Sequence, residues 1–424
     1  MQGMVDGTSH SQLIAAGRPR IVPRIVHVLH RLHYAGAEVL AAALSRELRG
    51  RFTFAFACLD EIGPLGLALR DEGFEVVALD RKPGVDFSVA RRLGSHVARW
   101  RTQGPVLLHA HQYTPFFYAS LSRGITGLIL GGASGGTSGV PLIFTEHGRH
   151  YPDQRKLKRV LANKLLLSRN DRVTAVGKFV RDALVRNEGI AEKRIEVIYN
   201  GIDAARFAKR DDVQAVRASV RGELRIHEQT PVVLQVARLH PVKDHATALR
   251  AMALLREFYK NNSNPEHKPT LLLAGDGAER DRLVSLAREL SLPIDGEHPA
   301  VRFLGVRNDI ADLIAAADAF CLSSVSEGVS VTLLEAMACG QPIAATDVGG
   351  NREVLGPDDL LPAAGLLSPR SDHASLAANL RTILSDAKVR SELSQAGPRR
   401  VAQRFSQQQM HAEYAGLYES MLGS

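Results

Sequence analysis

Cysteine, aromatic rings and long apolar runs are all scarce in this chain of 424 residues. Its three cysteines, Cys58, Cys321 and Cys339, are too few for a disulfide framework and lie in apolar or helical contexts. They read as buried thiols of a reducing compartment. Aromatic residues make up 5% of the chain, with a single tryptophan. No set of rings accompanies the basic segments, which argues against a nucleic-acid binder that stacks bases. No apolar stretch reaches the run of about twenty residues needed to span a bilayer. Residues 1–20, MQGMVDGTSHSQLIAAGRPR, hold none long enough for a signal peptide. The expectation is a cytoplasmic protein with a flexible N-terminal tail over residues 1–20.

What is present is an ordinary globular composition, 45% apolar and 23% charged. The length exceeds what one hydrophobic core usually covers, so two domains are expected. The net charge of +8 is uneven: residues 149–194 carry thirteen Lys or Arg against five Asp or Glu. Such a face suits an anionic membrane surface or an anionic substrate, and a solvated helix surface explains it equally well.

Short β-branched and apolar runs alternate with helical ones. RIVHVL, FTFAFACLD, FEVVALD, VLLHAHQY, PLIFTEHG, DRVTAVG and RIEVIYN read as strands, separated by segments such as VLAAALSREL and VARRLGSHVARWR with helical spacing. Alternation of this kind implies a parallel sheet covered on both faces. Residues 124–140, GITGLILGGASGGTSGV, read as an inserted mobile surface loop. The turn Asn200-Gly201-Ile202-Asp203 marks the boundary, followed by a charged linker to about residue 228. The plan then restarts at PVVLQVARLHPVKDHATALRAMALL. The expected architecture is α/β: residues 21–200 and 201–404 form two Rossmann-like open parallel-sheet domains facing a central cleft. A last helix over 405–424, with Met410, Tyr414, Leu417 and Met421 at helical spacing, is expected to pack back towards the N-terminal domain.

The chain is organised around residues 322–350, LSSVSEGVSVTLLEAMACGQPIAATDVGG. A buried strand delivers Glu327-Gly328-Val329-Ser330 to a turn, and a helix runs from Val331 to about Gly340. Ligands of open α/β sheets bind beyond the carboxyl ends of the strands. The strand ends of the second half carry Arg238 and Lys243, Gly275 and Gly277, and Glu327 with its turn. Two cations and a helix start offering N–H groups are what a diphosphate requires, and they neutralise its departure without a metal. Glu335 suits the paired hydroxyls of a ribose. Taken singly, each residue has a blander explanation: surface cations, a buried or flanking carboxylate, glycines that only turn the chain.

YNGID, VARLHPVKDH, LLLAGDG, SEGVSVTLLEAMACGQPIAATDVGG and TEHG together resemble the retaining glycosyltransferases of family 4, with the GT-B fold, over about residues 24–400. The resemblance implies transfer from a nucleotide diphosphate sugar, most commonly UDP-linked, to a hydroxyl of a glycan or lipid-linked acceptor. No metal or other cofactor is implied, and the setting implied is cell-surface polysaccharide, lipopolysaccharide or glycolipid synthesis. Arg238 and Lys243 match the pair that binds the diphosphate. Glu327 and Glu335 match the E-x7-E glutamates facing the donor sugar and the ribose. Gly328, Val329 and Ser330 would give backbone N–H groups to sugar and phosphate, with Gly275 and Gly277 lining the donor site. The strand end at residues 305–307, with Val306, would read the base through backbone.

In the first half, His147 of TEHG matches a histidine that approaches the donor sugar from across the cleft; a structural strand-end histidine is the alternative. His109 and His111 are expected to point to opposite faces of their strand, and so not to share an ion, with His111 the one expected to face the acceptor. The family's first loop commonly has two glycines followed two residues later by Glu. Here Ala35-Gly36-Ala37-Glu38 keeps Gly36 for close backbone approach and Glu38 on the acceptor side. Rival readings are a sugar-nucleotide epimerase, a phosphorylase, whose cofactor-lysine motif is not seen, and a catalytically silent nucleotide-binding subunit. Retention of Arg238, Lys243, Glu327 and Glu335 speaks against the last.

Overall fold

The computed structural model describes residues 22–129, 139–148, 155–207, 212–262, 268–296, 298–358 and 360–423. The tail assigned to residues 1–20 and most of the glycine-rich segment fall outside them. Two parallel sheets form the frame. In the first, β1 (Arg24–Arg31), β2 (Thr53–Glu61), β3 (Glu75–Ala78), β4 (Val106–His111), β5 (Leu142–Glu146), β6 (Arg172–Ala175) and β7 (Ile195–Val197) lie in the order β3-β2-β1-β4-β5-β6-β7. In the second, β8 (Val232–Val236), β9 (Thr270–Ala274), β10 (Val301–Gly305), β11 (Ala319–Leu322), β12 (Ile343–Thr346) and β13 (Leu366–Ser368) lie in the order β10-β9-β8-β11-β12-β13. Every strand pair is parallel.

Helices cover both faces of each sheet, which is why β4, β5, β8 and β9 are buried along their whole length and read as near-continuous apolar runs. In both sheets the strand order reverses beside the first strand, between β1 and β4 and between β8 and β11. Loops leaving those neighbours diverge to opposite faces and open a crevice at the carboxyl ends. The structure thus places its two crevices at the ends of β1 and β4, and of β8 and β11.

Two segments differ from expectation. Residues 124–129 are not loop but the end of helix Tyr113–Ile129. The charged stretch after the boundary is not a linker either, because it contains helix Val213–Glu223. Arg217 and Arg221 of that helix both pair with Asp318, at 2.6 and 2.8 Å, and bond the Ala316 carbonyl. The charges that suggested a linker are those that dock the helix beside β11.

The chain passes between the sheets twice at one place. Ile202 donates to the Phe405 carbonyl at 2.9 Å, and Gln407 donates back to Ile202 at 3.0 Å. An added Cβ on Gly201 would lie 2.4 Å from the Ser406 carbonyl oxygen, so the crossing needs glycine there. Ser406 then caps helix Gln407–Leu422 by accepting from Gln409 N at 3.2 Å. Met410, Tyr414, Leu417 and Tyr418 of this helix join Phe52, Phe54 and Ile143 in one core on the first sheet.

Candidate active site

The segment after β8 runs beside the one after β9, with Ala237 donating to the Ala274 carbonyl and Leu239 to that of Asp276, both at 3.0 Å. The approach is so close that a Cβ on Gly275 would sit 2.1 Å from Ala237 O, and one on Gly277 2.3 Å from Leu239 O. Both glycines also have positive φ, 138° and 158°. Gly275 N in turn donates to Gly305 O at 2.7 Å, which brings Val306, 77% exposed, to the same rim.

Arg238 is exposed and makes no ion pair among the described residues. Lys243 closes a short turn over Pro241–Lys243, and its Nζ lies 2.6 Å from Glu327 Oε1. Ser324 Oγ donates to the same oxygen. Glu327 is thus buried, held by one cation and one hydroxyl, and the Gly349-Gly350 loop packs on its backbone: a Cβ at Gly349 would stand 1.9 Å from Glu327 O.

Helix Val331–Ala338 begins after Ser330, and no side chain caps it, so its first N–H groups are left for another acceptor. A Cβ on Gly328 would sit 2.2 Å from His147 O, and one on Gly148 2.9 Å from Gly328. The turn after β11 therefore abuts the loop after β5 of the other domain. Asn200 donates to Val329 O at 3.0 Å. Glu353 reaches the other way, its carboxylate accepting from Lys178 N at 2.9 Å, Phe179 N at 3.3 Å and the Tyr199 hydroxyl. Glu335 lies on helix Val331–Ala338 with no hydrogen-bond or ion-pair partner for its carboxylate among the described residues. Burial pushes its pKa up to about 7, against the pull of Arg206.

Across the cleft, Gly36 and Glu38 open helix Gly36–Glu47. An added Cβ on Gly36 would meet Val331 Cγ2 at 3.5 Å, ordinary contact, so the fold itself does not demand that glycine. Ala35 has extended backbone, φ −130°, where its methyl is tolerated. Burial raises the Glu38 pKa, while its own backbone N–H and the charge of Arg238 from the other domain oppose the rise. His147 is half-buried, its pKa lowered to about 4 by desolvation.

The expectation for His109 and His111 is corrected: residues two apart on a strand share a face, and the two rings stack at 4.2 Å. With His27 of β1 they form the one group of three potential metal ligands among the described residues, one of the two ring nitrogens of each lying within 4.8 Å of the others. Five of those six nitrogens already bond protein atoms, which fits a hydrogen-bonded cluster better than an ion site. His109 meets the Tyr418 hydroxyl and Thr145 Oγ1, both at 2.7 Å. His111 meets His27 and His147, at 2.8 and 2.9 Å, so it lies one layer behind the cleft surface. Sequence reading missed His27, Ser324 and Glu353, and gave Asn200 of YNGID no role in the site. A signal existed only for His27, a polar residue at the centre of the apolar run RIVHVLH.

The sequence and the fold are similar to those of known proteins. The model of the Glycosyl transferases group 1 matches residues 216–400, and that of Glycosyltransferase Family 4 matches residues 34–206. The chain belongs to the group 1, family 4-like glycosyltransferases of GT-B fold. Among curated relatives, the N-acetyl-alpha-D-glucosaminyl L-malate synthase of Bacillus anthracis is 29% identical over 230 residues, 54% of this chain and 55% of that protein. A Campylobacter jejuni enzyme named N-acetylgalactosamine-N,N'-diacetylbacillosaminyl-diphospho-undecaprenol 4-alpha-N-acetylgalactosaminyltransferase is 30% identical over 237 residues, 54% of this chain and 56% of that one. The matched stretch therefore spans a little over half of these relatives. A solved glycosyltransferase of Rickettsia africae superposes with a TM-score of 0.76 at 18% identity, covering 95% of this chain and 99% of that one. Anabaena HepE in complex with UDP and glucose gives 0.74 at 20% identity, over 93% and 99%.

Proposed function

We propose that this protein is a retaining glycosyltransferase, moving a sugar from a nucleotide diphosphate sugar to a hydroxyl of a glycan or lipid-linked acceptor without a metal ion. The observation that carries the reading is the convergence, at the second sheet's reversal point, of Lys243 on Glu327, unpaired Arg238 and an uncapped helix start, with the turn at Gly328 against His147. In this scheme the bond from the anomeric carbon to the diphosphate breaks as Arg238, Lys243 and the N–H groups at Ser330 take up the charge. The acceptor oxygen attacks from the same face and its proton passes to the departing diphosphate. Glu327, already held by Lys243 and Ser324, orients the donor sugar rather than attacking it.

Glu335 binds the ribose, and Gly275, Gly277 and Val306 border the nucleotide. UDP is the favoured carrier, supported by the UDP-bound HepE neighbour. A membrane-anchored acceptor is supported by the diphospho-undecaprenol in the Campylobacter relative's name and by helix Leu157–Leu166. Leu157, Leu161 and Leu165 of that helix are 72%, 63% and 79% exposed among exposed Lys156, Lys158 and Lys164. Synthesis of a cell-surface polysaccharide or glycolipid is the setting this implies.

UDP, GDP and ADP compared by thermal shift in chelator test the donor assignment. UDP at a hundredfold over its Kd should add about 2.7 kcal/mol of stability. No shift with any of the three would refute the nucleotide site. Lys243→Ala should lower kcat/KM for donor turnover roughly 10²–10³-fold, the worth of one preorganised charge-stabilising group, in a protein that still folds. Unchanged turnover would show that the diphosphate lies elsewhere.

A further inference from the structure

The first domain holds a row of histidines that the transfer scheme leaves without a role. His111 Nδ1 lies 2.9 Å from His147 Nε2, and His111 Nε2 lies 2.8 Å from His27 Nδ1. His27 is fully buried, stacked between Phe54 and Phe56, and its Nε2 is buried with no partner. His109 stands outside the row, since both its nitrogens are taken by Tyr418 and Thr145. Burial lowers the pKa of His27 to about 3 and that of His147 to about 4, and holds His111 well below its ordinary value, so all three rings are neutral at physiological pH.

A neutral imidazole has one N–H and one bare nitrogen, so two successive ring-to-ring bonds must run in the same sense. The end of the row chooses that sense. A buried N–H without an acceptor is rarer than an acceptor left bare, so the partnerless His27 Nε2 is the bare one. His27 Nδ1–H then donates to His111, and His111 Nδ1–H donates to His147 Nε2. The proton of His147 is left on Nδ1, the ring nitrogen that has no partner among the described residues.

We infer that His27 and His111 are positioning residues that fix His147 as its Nδ1–H tautomer, so that the cleft is offered a hydrogen-bond donor rather than an acceptor. Such a donor suits an oxygen of the donor sugar or of the departing diphosphate, a use that rests on the glycosyl-transfer reading. The tautomer itself does not depend on that reading. Histidine tautomers are set by what the other ring nitrogen bonds, and here three rings pass one choice from the core to the cleft.

Two-bond proton–nitrogen correlation on the full chain, labelled with 15N-histidine at pH 7, reads the tautomers without substrate. His27, His111 and His147 should each carry the proton on Nδ1; a proton on Nε2 of His147, or on both nitrogens, overturns the inference. His27→Phe fits between the flanking rings and removes the fixed end. It should move His147 to a mixture or to Nε2–H and lower kcat roughly ten- to a hundredfold, as losing a partner that orients a histidine ligand does. The donor KM should stay within about twofold. A folded His27→Phe protein with the His147 tautomer unchanged would overturn the inference. Should that variant fail to fold, the spectrum of the unaltered protein decides alone. Failure of glycosyl transfer with the tautomers as expected would instead refute only the reaction assignment.

Discussion

Glu335 lowers the stability of the folded protein above neutral pH. Desolvation of its half-buried, unpartnered carboxyl pushes its pKa up to about 7, against 4.5 in an unfolded chain. Between those values the unfolded chain gives up a proton that the folded chain keeps, so this group lowers stability as pH rises through the window and lowers it fully above it. Glu335→Gln should therefore stabilise the ligand-free protein at pH 8 by about 1–3 kcal/mol, seen in urea melts, and be near neutral at pH 4. The same variant should lose affinity for UDP, because an amide offers one acceptor oxygen where the carboxylate offers two. Ribose hydroxyls favour the ionised form, so UDP binding at pH 6 to 7 should release more protons from wild type than from the variant, the terminal phosphate contributing alike to both. Calorimetry in buffers of different ionisation enthalpy measures that release; equal release in both would place the ribose on another residue.

At the scale of elements, what could be read from sequence was what lies close along the chain. The strand, turn and helix carrying Glu327 and Glu335 were legible because a period change, a glycine turn and two carboxylates fall within one short segment. Helix Gln407–Leu422 was legible from its own spacing. The partner of its Tyr418 hydroxyl was not, because His109 lies 309 residues away, and the His27–His111 contact was hidden likewise by 84 residues of separation. Face alternation, misapplied to His109 and His111, hid the cluster as well. The charged stretch before β8 was misjudged because paired arginines and solvated ones look alike in sequence until Asp318 is placed beside them. For the helix, Tyr418→Phe would leave a buried nitrogen of His109 without its partner and should cost about 1–3 kcal/mol by chemical denaturation. A loss below a few tenths would mean that water takes the hydroxyl's place.

At the scale of the whole molecule, the basic 149–194 segment and the exposed Leu157, Leu161 and Leu165 lie together on the first domain. Among the described residues no helix is long and apolar enough to cross a membrane, so contact with a bilayer would be lateral. Flotation with vesicles containing anionic lipid should show binding that falls with salt, since each Lys or Arg near such a surface contributes about 1 kcal/mol. Serine at Leu157, Leu161 and Leu165 together should weaken that binding while UDP affinity is retained. Equal binding of the variant, or none by wild type, would favour a soluble acceptor.

The return of residues 407–422 to the first sheet has a consequence for the protein's birth. The face of that sheet holding His109 and Phe52 is completed only by the last helix, so it stays open while the second domain is made. Roughly 210 residues separate Val197 from Gln407. At about 5–20 residues per second, the ribosome leaves that apolar and histidine-rich face uncovered for on the order of ten to forty seconds. The N-terminal domain is therefore the first to be synthesised and the last to be finished, and it is the part of the nascent chain that a chaperone would have most time to hold.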